Sequence, residues 1–211
     1  MEKTMFVLEL IGVAAFAISG AMAAIKKKAD LFGVLFLAVT TALGGGVIRD
    51  VLLGQLPPVM FVSYAYLLTS LAAALLVFFD AYIRRESYDA NRAKLAAVNN
   101  IFDAVGLAVF TVSGMNTAMH VSDNVILIVT LGVVTGFGGG MLRDMMTNTM
   151  PKVLRKRIYA VASLSGGAVY YLMYALGVNE ILSAITGMLA IFVLRLLATV
   201  NKWNLPVVDY D

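Results

Sequence analysis

The residues of this chain best suited to chemistry come in two matched sets. Gly44-Gly45-Gly46 precedes Arg49-Asp50, and Gly138-Gly139-Gly140 precedes Arg143-Asp144, so the pattern Gly-Gly-Gly-x-x-Arg-Asp occurs twice. Each copy lies inside an apolar run. A charge in a bilayer interior costs at least about 2.5–3.5 kcal/mol unless it faces a cavity or a partner. Adjacent residues on a helix point in different directions, so Arg49 and Asp50 are expected to find separate partners, as are Arg143 and Asp144. Two further acids in apolar runs, Glu9 and Asp103, are available to them. Arginine stays charged and presents a rigid fork. It suits bracing of helices or a fixed field along a solute path better than proton relay. Both of these roles stand on the sequence.

The glycine triplets carry the second signal. Each glycine costs about 1 kcal/mol against alanine inside a helix, and a triplet predicts a bend or an unwound turn. Irregular backbone at membrane depth needs protein or a water-filled cavity around it, and its freed carbonyls can coordinate ions. The competing reading is close helix packing. Ala38, Ala42 and Gly46, like Gly132, Gly136 and Gly140, follow the small-xxx-small spacing that lets helices touch. A contiguous triplet favours the bend, with packing contributing. Ser19 and Thr41, and their counterparts Ser113 and Thr135, offer hydroxyls that either line a cation path or bond their own helix carbonyls.

Other chemistries are excluded. His120 is the only histidine and there is no cysteine, which removes His-based metal clusters, thiol nucleophiles and redox pairs. No Gly-x4-Gly-Lys-Ser/Thr loop is present, against an ATP-driven pump. Neither an enzyme nor a cofactor is expected.

The elements that position these residues follow from composition. Apolar residues make up 61% and charged residues 14% of 211, and the mean hydropathy is +0.88. A soluble chain of this size could not hide so much apolar surface. Seven stretches have the length of a helical span: 5–25, 31–53, 59–82, 98–119, 124–147, 158–177 and 180–200. Their apolar runs lack the alternation of a membrane barrel. Ala21-Met22-Ala23 resembles a signal-cleavage site, but Lys26, Lys27 and Lys28 follow the apolar run instead of preceding it, so the first stretch is expected to be a retained span.

With seven alternating spans, one side receives Lys26, Lys27, Lys28, Arg84, Arg85, Arg92, Lys94, Lys152, Arg155, Lys156, Arg157 and Lys202, and the other only Lys3. Arg49, Arg143 and Arg195 remain within or near the ends of spans. The Lys/Arg excess marks the cytoplasmic side, which predicts an outside N-terminus and a cytoplasmic C-terminus. Trp203 and Tyr210 fit interfacial anchoring. The net charge of +3 is then a mark of topology, not of nucleic-acid binding.

Shifting the chain by 94 residues aligns 9–57 with 103–151, with 15 identities in 49 positions, many at Gly, Arg, Asp and Pro. Each copy holds three spans, an odd number, so the second enters the membrane from the opposite side. The predicted fold is an all-α integral membrane protein of seven transmembrane helices, an inverted repeat of two three-helix units plus a seventh helix. It forms a single transmembrane domain over 1–211: repeat one about 5–82, a cytoplasmic linker about 83–97, repeat two about 98–177 and the seventh helix about 180–200.

The doubled motif on the second and fifth of seven helices resembles the bacterial trimeric intracellular cation (TRIC) channels, small proteins also labelled as glycine transporters. The likeness covers about 5–200. It implies a homotrimer in the bacterial inner membrane, in contact with membrane lipids. It further implies a pore within each subunit that conducts monovalent cations, chiefly potassium, between the first, second, fourth and fifth helices. By motif it assigns Gly44, Gly45, Gly46, Arg49 and Asp50, then Gly138, Gly139, Gly140, Arg143 and Asp144. Animal members carry a lysine-bearing motif on the fifth helix and a basic tail; here Val134–Phe137 lacks lysine and Val207–Asp211 is short and acidic. The inverted repeat suits a secondary transporter of a small zwitterion such as glycine equally well, and that remains the alternative.

Overall fold

The seven apolar runs fold as seven long helices. The structure is a computed structural model and describes residues 2–155 and 158–203. The expectations made for Lys156, Arg157, Tyr210 and Val207–Asp211 lie outside the described residues. In chain order the helices are α1 (Glu2–Lys26), α2 (Leu31–Leu52), α3 (Val59–Val62), α4 (Tyr64–Ile83), α5 (Arg85–Ala90), α6 (Arg92–Met119), α7 (Val125–Met146), α8 (Lys152–Arg155), α9 (Ile158–Ala175) and α10 (Glu180–Val200). All but α3, α5 and α8 are long and apolar enough to cross a bilayer. Their outward faces carry large apolar side chains such as Phe32, Leu76 and Ile126, as a hydrocarbon solvent requires.

Two boundaries differ from expectation. The third run divides at Ser63, whose backbone is extended, so a single turn of helix (α3) precedes the span proper. The fourth begins at Arg92, six residues before the apolar run. Arginine and lysine are good helix formers, and a helix emerging from a membrane needs no apolar face.

The inverted repeat is built from α1, α2 and α4 against α6, α7 and α9. Local structure repeats with it. Asp30 caps α2 by accepting from the Gly33 N–H at 2.8 Å, and Asn124, 94 positions later, caps α7 by accepting from Ile126 and Leu127. Past the far ends, Gly54 and Asn148 occupy equivalent left-handed positions (φ 68° and 50°). There the Gln55 N–H closes on the Asp50 carbonyl at 2.8 Å and the Thr149 N–H on the Asp144 carbonyl at 2.9 Å. Such C-terminal closures satisfy the last free carbonyls of a helix.

The two halves meet along α1–α6 and α2–α7, and α10 packs on α6 and α9. Phe16 stacks on its own repeat counterpart Phe110 at 5.4 Å. Equivalent residues can touch only near the pseudo-two-fold axis, so this pair locates it.

Candidate functional site

The glycine triplets lie at the second place where the halves meet. Both α2 and α7 run through them without interruption. The expectation of an unwound turn at Gly44–Gly46 and Gly138–Gly140 is therefore corrected: the helices continue, and the packing half of the expectation holds at Gly44, Gly45, Gly138 and Gly139. A Cβ at Gly45 would strike the Thr135 carbonyl oxygen, and one at Gly139 would strike the Thr41 carbonyl oxygen. The Cβ of Gly138 would stand 3.2 Å from the Gly45 Cα, and that of Gly44 would stand 2.6 Å from the Leu142 side chain. The helices cross backbone to backbone around the pseudo-axis, a separation only glycine permits. The third glycine of each triplet behaves differently. A Cβ at Gly46 meets only Arg49 Nη2, at 3.9 Å, whereas one at Gly140 meets the Tyr159 hydroxyl at 3.0 Å.

The hydroxyls divide. Thr41 donates to the Leu37 carbonyl and Thr135 to the Leu131 carbonyl, both at 2.6 Å, so each satisfies its own helix. Ser19 and Ser113 reach across the repeats. Ser19 accepts from Arg143 Nη1 at 2.5 Å, and Ser113 donates to Glu9.

Charge pairing also departs from expectation. Arg49 folds back onto its neighbour, with Nε donating to Asp50 Oδ1 at 2.8 Å and Nη2 at 2.7 Å from the same oxygen. Arg143 and Asp144 repeat this at 2.9 and 2.8 Å. The idea that adjacent Arg and Asp must part is thus corrected; an arginine stem is long enough to curve back along the helix. The second carboxylate oxygen then secures the following segment. Asp144 Oδ2 accepts from the Lys152 N–H at 2.8 Å, and Asp50 Oδ2 accepts from the Val59 N–H at 2.9 Å. The first copy has Pro58 where an equivalent N–H would stand. Proline has none, so the bond passes to the next residue.

That extra residue shifts the repeat from 94 to 93 and reveals partners that the sequence reading missed. Tyr66 now matches Tyr159, and Ser70 matches Ser163, all but Tyr66 buried. Tyr66 donates to Glu9, and Tyr159 lies beside Asp103's cluster. Allowing a gap after Pro57 would have found both tyrosines.

The two acid sites are unequal. Glu9, Arg49, Asp50, Gly46, Tyr66 and Thr117 line a cavity of about 240 Å³. They come from the start of α1, the end of α2, the start of α4 and the end of α6, so the cavity lies at one end of the bundle. It shares Glu9, Tyr66 and Thr117 with an adjoining cavity of about 390 Å³, which also reaches Gln55, His120 and Glu180.

At the opposite end the corresponding place is filled. Asp103 is fully buried and takes Arg143 Nη1 at 2.6 Å, Lys152 Nζ at 3.3 Å and Arg195 Nη2 at 3.7 Å. The Arg195 guanidinium lies 4.5 Å above the Tyr159 ring. Lys152, counted from the sequence only as a loop charge, is thus a member of this cluster. Burial pushes its ammonium down to about 8, against the attraction of Asp103. Arg195 comes from α10, which has no repeat counterpart, and its place inside an apolar run was the available signal. Among the described residues, no group of three His, Asp or Glu side chains is placed to hold a metal ion.

Comparison with known proteins agrees with this geometry. One family description, glycine transporter, matches twice, over residues 6–81 and 100–175, the two repeats at their offset of 94. The UPF0126 inner membrane protein YadS of Escherichia coli is 36% identical, over 94% of this chain and 92% of its own. A solved structure described for conductance through TRIC cation channels is 38% identical, with TM-score 0.83 and 97% of each chain covered. The TRIC trimeric intracellular cation channel orthologue from Rhodobacter sphaeroides is 32% identical, with TM-score 0.85, over 95% of this chain and 99% of that one. Together with the doubled Gly-Gly-Gly-x-x-Arg-Asp helices and their crossing on the pseudo-axis, these likenesses place the chain in the bacterial TRIC channel family.

Proposed function

We propose that the protein is a cation channel that conducts monovalent cations, chiefly potassium, through the interior of each subunit. The observation that carries this reading is the cavity that enters one end of the bundle between α1, α2, α4 and α6, where Glu9, Arg49 and Asp50 stand in a largely apolar lining that reaches Ala42 and Phe110. It is continuous with a mouth that presents Glu9 and Glu180. Acid-lined clefts with low-dielectric walls concentrate cations. Glu9, Asp50, Tyr66 and Thr117 are polar groups on this path, and Arg49 sets a fixed positive charge in its wall. At the other end, Asp103, Arg143 and Asp144 form the corresponding closure.

The pore role of Gly44–Gly46 and Gly138–Gly140 in this reading is indirect. They bring α2 and α7 together, and Gly46 leaves room beside Arg49. Like the trimeric channel orthologue from Rhodobacter sphaeroides, the chain is proposed to assemble as a homotrimer. Its place is the bacterial inner membrane among lipids, with the N-terminus outside. No cofactor and no nucleic acid is involved. The Lys/Arg asymmetry of the loops supports this orientation, in which the cavity would face outward and the filled cluster inward.

Recording from purified protein in planar bilayers tests the proposal. Discrete potassium currents are the expected result. Silent bilayers combined with saturable glycine uptake into liposomes would overturn it in favour of a transporter.

A further inference from the structure

The filled cluster contains more cations than it needs. Asp103 and Asp144 are two carboxylates; Arg143 and Arg195 already balance them, and Lys152 makes a third cation in a nearly dry place. Tyr159 Oη and Arg195 Nε are buried without a hydrogen-bond partner, and Lys152 Nζ meets only Asp103 Oδ2, as an ion pair at 3.3 Å. The arginines cannot shed the surplus charge, because guanidinium holds its proton. Lys152 can. It also sits at a mechanical joint: its backbone N–H ties α8 to Asp144 at the end of α7, while its side chain reaches α6. In the first repeat Val59 takes this place in the bond to Asp50, with an uncharged side chain, and that end of the bundle is open.

We propose that Lys152 is a proton-linked trigger for the filled end of the bundle, its charged form favouring opening and its neutral form favouring closure. This rests on the channel reading for its consequence but not for its structural content. The sign follows from linkage. The groups gathered round Lys152 are Asp103 from α6, Arg143 and Asp144 from α7, Tyr159 from α9 and Arg195 from α10. Among them its pKa is about 8, and hydration in an open end returns it to an ordinary ~10.4. The closed form therefore holds the proton more weakly. Below about pH 8 both forms are protonated and the balance is flat. Between about 8 and 10 each unit of pH favours closure by up to ~10-fold.

The chain has no cysteine, so one introduced thiol reports on one place. Ser163→Cys is close to isosteric, and Ser163 is buried one turn beyond Tyr159, bonded to Thr111. Its labelling by a water-soluble thiol reagent, normalised to the same reagent on exposed Arg84→Cys, should slow as pH rises from 7.5 to 9.5. Adding Lys152→Arg, which keeps its charge, should abolish that slowing. Adding Lys152→Met should give slow labelling throughout. Potassium flux from proteoliposomes should follow the same order. Labelling that is independent of pH when Lys152 is present, or equally dependent on pH in the Lys152→Arg variant, overturns the proposal. Labelling that behaves as stated with no cation flux at any pH leaves the trigger standing and removes the channel reading.

Discussion

At the scale of the residue, the decisive contrast is between Glu9 and Asp103. They are repeat-equivalent acids, yet one is held by two hydroxyls beside a cavity and the other by three cations in a filled site. Breaking a buried ion pair by removing one partner costs about 3–5 kcal/mol, so Asp103→Asn should lower unfolding stability by about that much, measured in detergent by chemical denaturation. Glu9→Gln should fold normally, because the amide oxygen accepts from one of the Tyr66 and Ser113 hydroxyls while the amide N–H donates to the other, whose hydroxyl can turn. It should lower potassium conductance by about tenfold at low salt, where acid-lined clefts raise local cation concentration most. The difference should shrink near 1 M salt, where the Debye length is about 3 Å. A conductance unchanged at every salt concentration would remove Glu9 from the path.

At the scale of the element, the crossing of α2 and α7 is the constraint. Gly139→Ala places a methyl group against the Thr41 carbonyl, and the helices must part. Overpacking typically costs about 1–3 kcal/mol, and a melting-temperature loss of that order is expected. Gly46→Ala is the internal control. Nothing but Arg49 approaches within 4 Å of its Cβ, so stability should hold while the cavity narrows and single-channel conductance falls. Equal destabilisation by both substitutions would mean that the triplets act through helix propensity and not through the crossing.

At the scale of the whole molecule, the seventh helix makes two pseudo-equivalent ends different. Without a counterpart to α10, the first repeat has no equivalent of Arg195, and its acid stays open to a cavity. The proposed orientation is checked with impermeant thiol reagents. Gln55→Cys should label from outside and Arg84→Cys only after the membrane is opened, and the reverse pattern would invert the molecule.

Much of this was legible in the sequence. Hydropathy decides that the chain lies in a bilayer and where the spans fall, because every residue of a span faces the same hydrocarbon limit regardless of its neighbours. The repeat, its inversion and the doubled glycine and Arg-Asp sets follow from one alignment, since three spans per copy fix the parity. The sequence also marked Glu9, Asp103, Arg49 and Arg143 as charges that needed a reason. The tertiary structure decided which reason applies. That Gly45 faces a carbonyl of α7, that Arg49 turns back on Asp50, and that Lys152 and Arg195 converge on Asp103 depend on contacts between helices far apart in sequence. Local composition sets what a helix is; only packing sets what each side chain meets.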